Sequence, residues 1–404
     1  MVANSTSGAR FVPGAGGEVL LLSMRRLHDL VAFCAAYEFE DVFAEVTGAD
    51  RVEPLAEGPI ESARRAYRAV RLLTRSPRLA RTLAPGPPAV HLDRDYDLFF
   101  PIFSHAHELF ALASVPDWRR RSRVAACFIN ELWASHLPEY LLELLAEFDH
   151  VFIGVHNAVP EVARIVGRPC TYLPLATDVL TFAPSFDAPA RPFDVCYIGR
   201  RSPVTHQALY QLARARRIRY YFDTVAASGD DMKQRTFRVE SASEHRFLLA
   251  TLLQSSRYFV ANPARVNEPS FVSGQEEISA RYYEGAAAGT VMIGLPPRVE
   301  VFRRSFDWPD AVIEIPFDAP EIGRVLEQLD RDPERLQSIR VDGVRNSALR
   351  HDWLHRIETA FAELGLKPTE GMRQRARRLA GVASEAAAAA PGARVAPPAV
   401  PGSR

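Results

Sequence analysis

Glu276, Glu277 and Glu284 stand in the segment EEISARYYEGAAAGTVMIG, residues 276–294. A carboxylate accepts hydrogen bonds through two oxygens, so acids gathered on one face suit a ligand that presents hydroxyl groups. Eight steps of a helix with about 3.6 residues per turn return close to the starting face. The segment therefore predicts a helix over 276–288 with Glu276 and Glu284 on one face. The small-residue run ending at Gly289 would let that helix sit close to a strand over Val291–Ile293. Arg281 has two readings, an anion ligand or an ion-pair partner of Glu277 or Glu284. The glutamates have a second reading too, as solvated surface charges.

Other residues that could do chemistry lie upstream. Gly199, Arg200 and Arg201 end the strand DVCYI and precede a helix over 204–216 that carries His206. Backbone N–H groups at such a helix start favour anions. His105 and His107 follow the apolar run DLFFPIF, and Asn130 and Glu131 follow RVAACFI. A histidine at a strand's carboxyl end could serve as a general base, and its plainer reading is packing. Asn130 and Glu131 read equally as a helix cap and first-turn acid. Asp93, Asp95 and Asp97 spell two DxD triplets, but they precede a strand, which favours a turn over a metal site. HExxH, paired CxxC, GxSxG and GK[ST] motifs are absent, so no metal is expected and nucleophilic catalysis is disfavoured.

The elements that must position these residues alternate. Strands are expected at 18–23, 97–103, 123–129, 150–155, 170–173, 194–198, 219–222, 258–261, 291–293 and 311–315. Helices are expected at 27–46, 61–83 with a break at Pro77, 108–113, 138–147, 159–166, 204–216, 243–255, 276–288, 319–329 and 333–364. This order predicts an α/β fold of two Rossmann-like, doubly wound domains facing a cleft. The expected division is a disordered 1–17, a first domain 18–185, a second domain 186–345, helices crossing back over 346–383, and a disordered Ala/Pro-rich tail 384–404. A proline-stiffened linker, 174–193, joins the domains. The chain has 404 residues, 47% of them hydrophobic, which is enough for two cores. Its 49 basic and 49 acidic residues cancel, giving no electrostatic argument for nucleic acid. Cys34, Cys127, Cys170 and Cys196 are scattered and read as reduced thiols. No apolar run approaches a membrane span and the N-terminus lacks a signal-peptide core, so a cytoplasmic location is expected.

Four segments carry a resemblance. PLATDVLTFAP, with Pro174, Asp178, Phe182 and Pro184, resembles the interdomain signature of the GT-B glycosyltransferases. YIGRR resembles the first strand and turn of that fold's donor domain. Glu276 and Glu284 match the E-x7-E motif of the group-1 transferases. YDLFFPIFSHAHEL resembles the strand-then-histidine element of the acceptor domain. The ARYYEGAAAGTVMI wording is closest to the spore-maturation-protein-like branch. The match spans roughly residues 18–365 in order and spacing.

The resemblance implies transfer of a sugar from a nucleotide-sugar donor to a glycan, lipid-linked or small-molecule acceptor, with retention, of the kind used in polysaccharide biosynthesis. It implies donor binding by Gly199, Arg200, Arg201, His206, Glu277, Arg281, Tyr282, Glu284 and Gly289, with Glu284 on the ribose hydroxyls. It implies catalytic roles for His105, Glu131 and Glu276, and no cofactor beyond the nucleotide-sugar substrate. RRSPVTHQ departs from the family, which has a lysine shortly after the glycine-arginine turn; His206 or Arg201 would substitute. A nucleotide-sugar epimerase and a non-catalytic sugar-nucleotide-binding protein are the alternatives. The arginine-rich helix at 62–81 is the expected place of any peripheral contact with the inner face of a membrane.

Overall fold

The computed structural model describes residues 9–55, 57–76, 79–80, 83, 86–87, 89–186, 191–223 and 238–392. The expected break at Pro77, residues 1–8 and the tail from 393 lie outside them; within the N-terminal 1–17 expected to be disordered, Ala9–Val12 form a strand. Two sheets form. The first has seven strands in the order β1-β3-β2-β4-β5-β6-β7. These are β1 (Ala9–Val12), β2 (Val19–Ser23), β3 (Asp50–Pro54), β4 (Tyr96–His105), β5 (Ser122–Glu131), β6 (His150–Ile153) and β7 (Cys170–Tyr172). Edge strand β1 pairs antiparallel with β3, and the others pair in parallel. The second sheet is parallel, ordered β12-β11-β10-β8-β9. Its strands are β8 (Phe193–Tyr197), β9 (Tyr220–Phe222), β10 (Ser256–Ala261), β11 (Val291–Gly294) and β12 (Ile313–Glu314). The architecture is thus two Rossmann-like α/β units.

Helices cover both faces of each sheet, so the central strands read as continuous apolar runs. Leu98 to Phe103 on β4 are all buried. Pro101 lies in this run opposite Leu22 of β2, and the register of β4 on β5 is the same on both sides of it.

Strand order locates the sites. After edge strand β1, the first sheet runs from inner β2 out to β3 and returns to build β4 to β7; the second runs from inner β8 out to β9 and returns to build β10 to β12. The order reverses between β2 and β4 in the first sheet and between β8 and β10 in the second. Ligands of open α/β sheets bind outside the carboxyl ends of strands at such a reversal. The residues to follow are therefore those after Ser23, His105, Tyr197 and Ala261.

Several expected elements differ. The helix placed at 276–288 runs only over Ala280–Ala287. The one expected at 333–364 is two, Pro333–Arg350 and Trp353–Glu363, because Asp352 caps the second by accepting from the Leu354 N–H at 2.9 Å. Residues 106–114 form a 3₁₀ rather than an α-helix, and 138–147 are a short α-turn followed by a 3₁₀ turn. A helix over Glu370–Ala388 extends into the stretch expected to be disordered. Its alanines favour helix, Thr369 caps it, and Ala383 and Ala386 are buried.

The last two helices pack on the first unit. Trp353 stacks on Phe39 with ring centroids 4.5 Å apart, and its Nε1 donates to Glu38 at 2.9 Å. Arg375 pairs with Asp352 at 2.8 Å and Glu45 at 2.9 Å. The linker is held there as well: Thr177 N–H donates to the His351 carbonyl at 3.1 Å and Arg356 to the Pro174 carbonyl at 3.0 Å.

Candidate functional site

The second sheet's reversal begins with a turn. Gly199 has φ +78°, a left-handed conformation that glycine adopts without a Cβ penalty. Its N–H donates to Asp223 Oδ2 at 2.8 Å. Ser202 then caps the Pro203–Arg214 helix, accepting from the Thr205 N–H at 3.1 Å, with Pro203 in the first turn. Asn262, directly after β10, donates to the Tyr197 hydroxyl.

Arg281 approaches this turn from the first turn of the Ala280–Ala287 helix. A Cβ placed on Gly199 would lie 3.6 Å from Arg281 Nη2. Arg281 Nη1 donates to Glu284 Oε2 at 2.7 Å, the ion-pair reading of this arginine. Glu284 is only 1% exposed, and its other oxygen accepts from Arg246. Burial alone would raise its pKa, but Arg281 and Arg246 outweigh burial and bring it down to about 2. Both oxygens are therefore engaged, and Glu284 faces arginines rather than an open space for ribose. Arg246 in turn bonds Glu38 of the first unit at 2.8 Å. Burial pushes the Glu38 pKa up, against the pull of Arg246.

Glu276 and Glu277 do not share a helical face with Glu284, because both precede the helix in extended chain. Glu277 accepts from the His156 N–H at 2.7 Å, the Tyr172 hydroxyl at 3.0 Å and the Ile278 N–H at 3.0 Å. It thus ties this segment to the first unit; burial raises its pKa against these three bonds. With Glu277 held by these bonds, the helix begins only at Ala280, after Ser279 at its N-cap. Glu276 accepts from the Arg298 N–H.

The other expected donor residues separate into two groups. Arg200 lies at the turn, bonded to Asn267 at 3.1 Å and to Glu268. Arg201 pairs with Asp223 at 3.2 Å, and His206 Nδ1 lies 2.9 Å from the Tyr220 hydroxyl. Burial first, and Arg201 second, lower the His206 pKa. Tyr282 and Gly289 fall elsewhere. Tyr282 is fully buried against Phe302, its hydroxyl donating to the Leu295 carbonyl. Gly289, φ +60°, follows the carboxyl end of its helix, next to Val344 and Arg191 at the opposite edge of the sheet.

At the first sheet's reversal, His105 ends β4 and Glu131 ends β5. Glu131 pairs with Arg265 of the second unit at 2.6 Å, and Arg265 also holds Glu268 at 2.7 Å. The carboxyl edges of the two sheets thus meet through Glu131, Arg265, Glu268 and Arg200. His105 ring contacts include His28 at 5.8 Å and Phe33 at 5.7 Å. His28 Nε2 lies 3.1 Å from Glu108 Oε1. His107 is exposed, with Nδ1 3.3 Å from Arg64 Nη1. Burial, His105 and Arg64 all lower its pKa.

Arg246, Glu38, Arg265, His28 and Glu108 were not singled out from the sequence. Arg246 left a signal: it shares a stripe with Leu249, Ala250 and Leu253, all buried, so a charge stands on an apolar face. The DxD acids are surface partners: Asp95 pairs with Arg121 at 2.9 Å and Asp97 with Arg123 at 3.0 Å. On the basic helix Arg64 and Arg65 pair with Glu61, and Arg71 with Glu143, while Leu72 and Leu73 are exposed. No helix among the described residues is long and apolar enough to cross a membrane.

Residues 209–362 match the model of a family described as glycosyl transferase-like. No curated protein sequence matches the chain. Among solved structures it is similar to an α,α-trehalose-phosphate synthase (UDP-forming) from Burkholderia vietnamiensis, at 11% identity and a TM-score of 0.49, over 87% of this chain and 99% of that one. It is similar to Anabaena Alr3699/HepE, solved with UDP-glucose, at 10% identity and 0.47, over 86% and 99%. It is also similar to a mutant of S. aureus TarM, solved with fondaparinux, alpha-GlcNAc-glycerol and UDP, at 9% identity and 0.43. That alignment covers 65% of this chain and 55% of TarM, so the chain spans about half the length of this relative. The family match begins inside the helix after Gly199 and ends inside the crossing helix, which ties Arg246, Arg281 and Glu284 to a glycosyl transferase-like segment.

Proposed function

We propose that the chain is a glycosyltransferase that moves a sugar from a nucleotide-sugar donor to a hydroxyl acceptor on a glycan, lipid or small molecule. The spore-maturation-protein-like branch, a cytoplasmic setting and a retaining outcome belong to the same reading. The observation that carries it is the Gly199 turn with Arg281 beside it, at the reversal of the second sheet and before a capped helix. Backbone N–H groups, Arg200, Arg201 and Arg281 can neutralise a diphosphate as it leaves, which lowers the barrier because charge grows in the transition state. Glu284 positions Arg281 here, a changed role from the ribose contact that the motif implies. His105, on the facing edge, is the base candidate for the acceptor hydroxyl.

Binding without catalysis is the second reading, favoured by Glu131 and Glu284 both being engaged by arginines. A thermal-shift screen across nucleotide sugars tests donor binding, since a ligand of the native state raises Tm. Arg281→Ala should weaken the best donor roughly tenfold or more, from the loss of a charged hydrogen bond of about 1.5–3 kcal/mol. Unchanged affinity would remove Arg281 from the site. Transfer or donor hydrolysis by the wild type separates the two readings.

A further inference from the structure

The geometry points to a divalent-metal site of the zinc class in the first unit, formed by His28, His105 and Glu108. This proposal is independent of donor binding at the second sheet, but it replaces the base role given to His105 above, because an imidazole that ligates a metal does not also take a proton. Each residue offers one ligand atom, and the three atoms lie within 4.8 Å of one another. His28 Nε2 and Glu108 Oε1 are already 3.1 Å apart. Ligands about 2.0–2.1 Å from a tetrahedral zinc ion lie about 3.4 Å from each other, so side-chain rotations of about an ångström close the set.

Two further observations support an ion rather than a packed polar cluster. Glu108 is 2% exposed, and the His28 imidazole lies within ion-pair reach of it. A buried carboxylate needs a cation or full hydrogen bonding. His105 Nδ1 is buried without a hydrogen-bond partner, an orphan that a metal would satisfy.

The surroundings also orient the ligands. The Ser104 N–H donates to Glu108 Oε2 at 2.5 Å, leaving Oε1 turned to the histidines. The Tyr37 hydroxyl donates to the His28 carbonyl at 3.0 Å, fixing that loop. Such outer contacts set ligand direction in metal sites. Two imidazoles and one carboxylate leave a fourth position for water or a ligand oxygen. The sequence hides the set because His28 follows β2, His105 ends β4 and Glu108 belongs to the next 3₁₀ helix, so no linear metal motif appears.

The test uses the full chain, stripped with a chelator, dialysed and titrated with Zn²⁺ by calorimetry. One ion per wild-type chain is expected. His28→Ala and Glu108→Gln should each weaken binding at least about tenfold, and His107→Ala, a neighbouring exposed histidine, should not. Binding of Co²⁺ should give tetrahedral visible bands without a thiolate charge-transfer band, a readout needing no variant. No stoichiometric ion on the wild type overturns the proposal. So does a thiolate band, or a folded His28→Ala/His105→Ala protein that keeps wild-type affinity. None of these outcomes bears on donor binding.

Discussion

At the carboxyl edge of the second sheet, Arg200, Arg201, Arg246, Arg265 and Arg281 each meet a carboxylate. At the matching edge of the first sheet, His28 and His105 gather around one buried acid, Glu108. The strand order leading to the two edges is equivalent, so topology decides where a site forms and not what it binds. An arginine-lined turn suits a diphosphate, whose charge is fixed. Imidazoles and a carboxylate suit a proton or a metal ion. The two edges are also joined, because Glu38 and Glu131 of the first unit pair with Arg246 and Arg265 of the second.

Removing a joint should have the largest effect. Arg246→Ala leaves Glu38 and Glu284 buried with one charged partner fewer, and breaking a buried pair costs about 3–5 kcal/mol. The urea midpoint should fall accordingly. A loss below about 1 kcal/mol would mean that the two edges are held together elsewhere, with Arg246 incidental.

The acid-base behaviour of Glu284 sharpens the contrast. Its pKa is lowered from 4.5 to about 2 by Arg281 and Arg246 against burial. The unfolded chain therefore takes up a proton first as pH falls, and the stabilisation is present above pH 4.5 and disappears towards pH 2. The stability difference between wild type and Glu284→Gln should shrink over that window. A constant difference would show that Glu284 contributes through shape rather than charge.

How much of this was readable in the sequence follows from which forces are local. The strand runs and the Gly199 turn are local, and they fall where periodicity and glycine place them. The Ala280–Ala287 helix is different. The start of its segment is drawn away by Glu277 bonds to His156 and Tyr172, residues more than a hundred positions distant, which no helical spacing can register. Glu284 was legible as a buried site acid because small residues flank it, but its partner Arg246 lies on a separate helix. His28, His105 and Glu108 meet only once β2 and β4 pair, so their proximity belongs to the sheet register and not to any motif.

A smaller effect tests the turn itself. Gly199→Ala forces a Cβ into φ +78°, at a cost of about 1 kcal/mol, while the added carbon meets Arg281 at an ordinary 3.6 Å. Stability should drop by about that amount, with donor affinity falling only if the turn's N–H groups hold the diphosphate. Equal donor affinity in a measurably destabilised variant would move the anion site from the backbone to the arginines.

The smallest effect belongs to the acids that most resemble a metal motif. Asp95 and Asp97 are exposed and pair with Arg121 and Arg123 beside the start of β4, the edge opposite to His105. Exposed ion pairs contribute about 0–1 kcal/mol, and the solvent already screens them. Asp95→Asn with Asp97→Asn should therefore leave the melting temperature and Zn²⁺ affinity close to wild type, whereas Glu108→Gln should weaken Zn²⁺ binding at least about tenfold. If the aspartates instead removed the metal, the spelling of the motif would outweigh its position in the sheet. The reason to expect the reverse is desolvation: a carboxylate in water gains little by exchanging hydration for an ion, and a buried one beside two imidazoles gains a great deal.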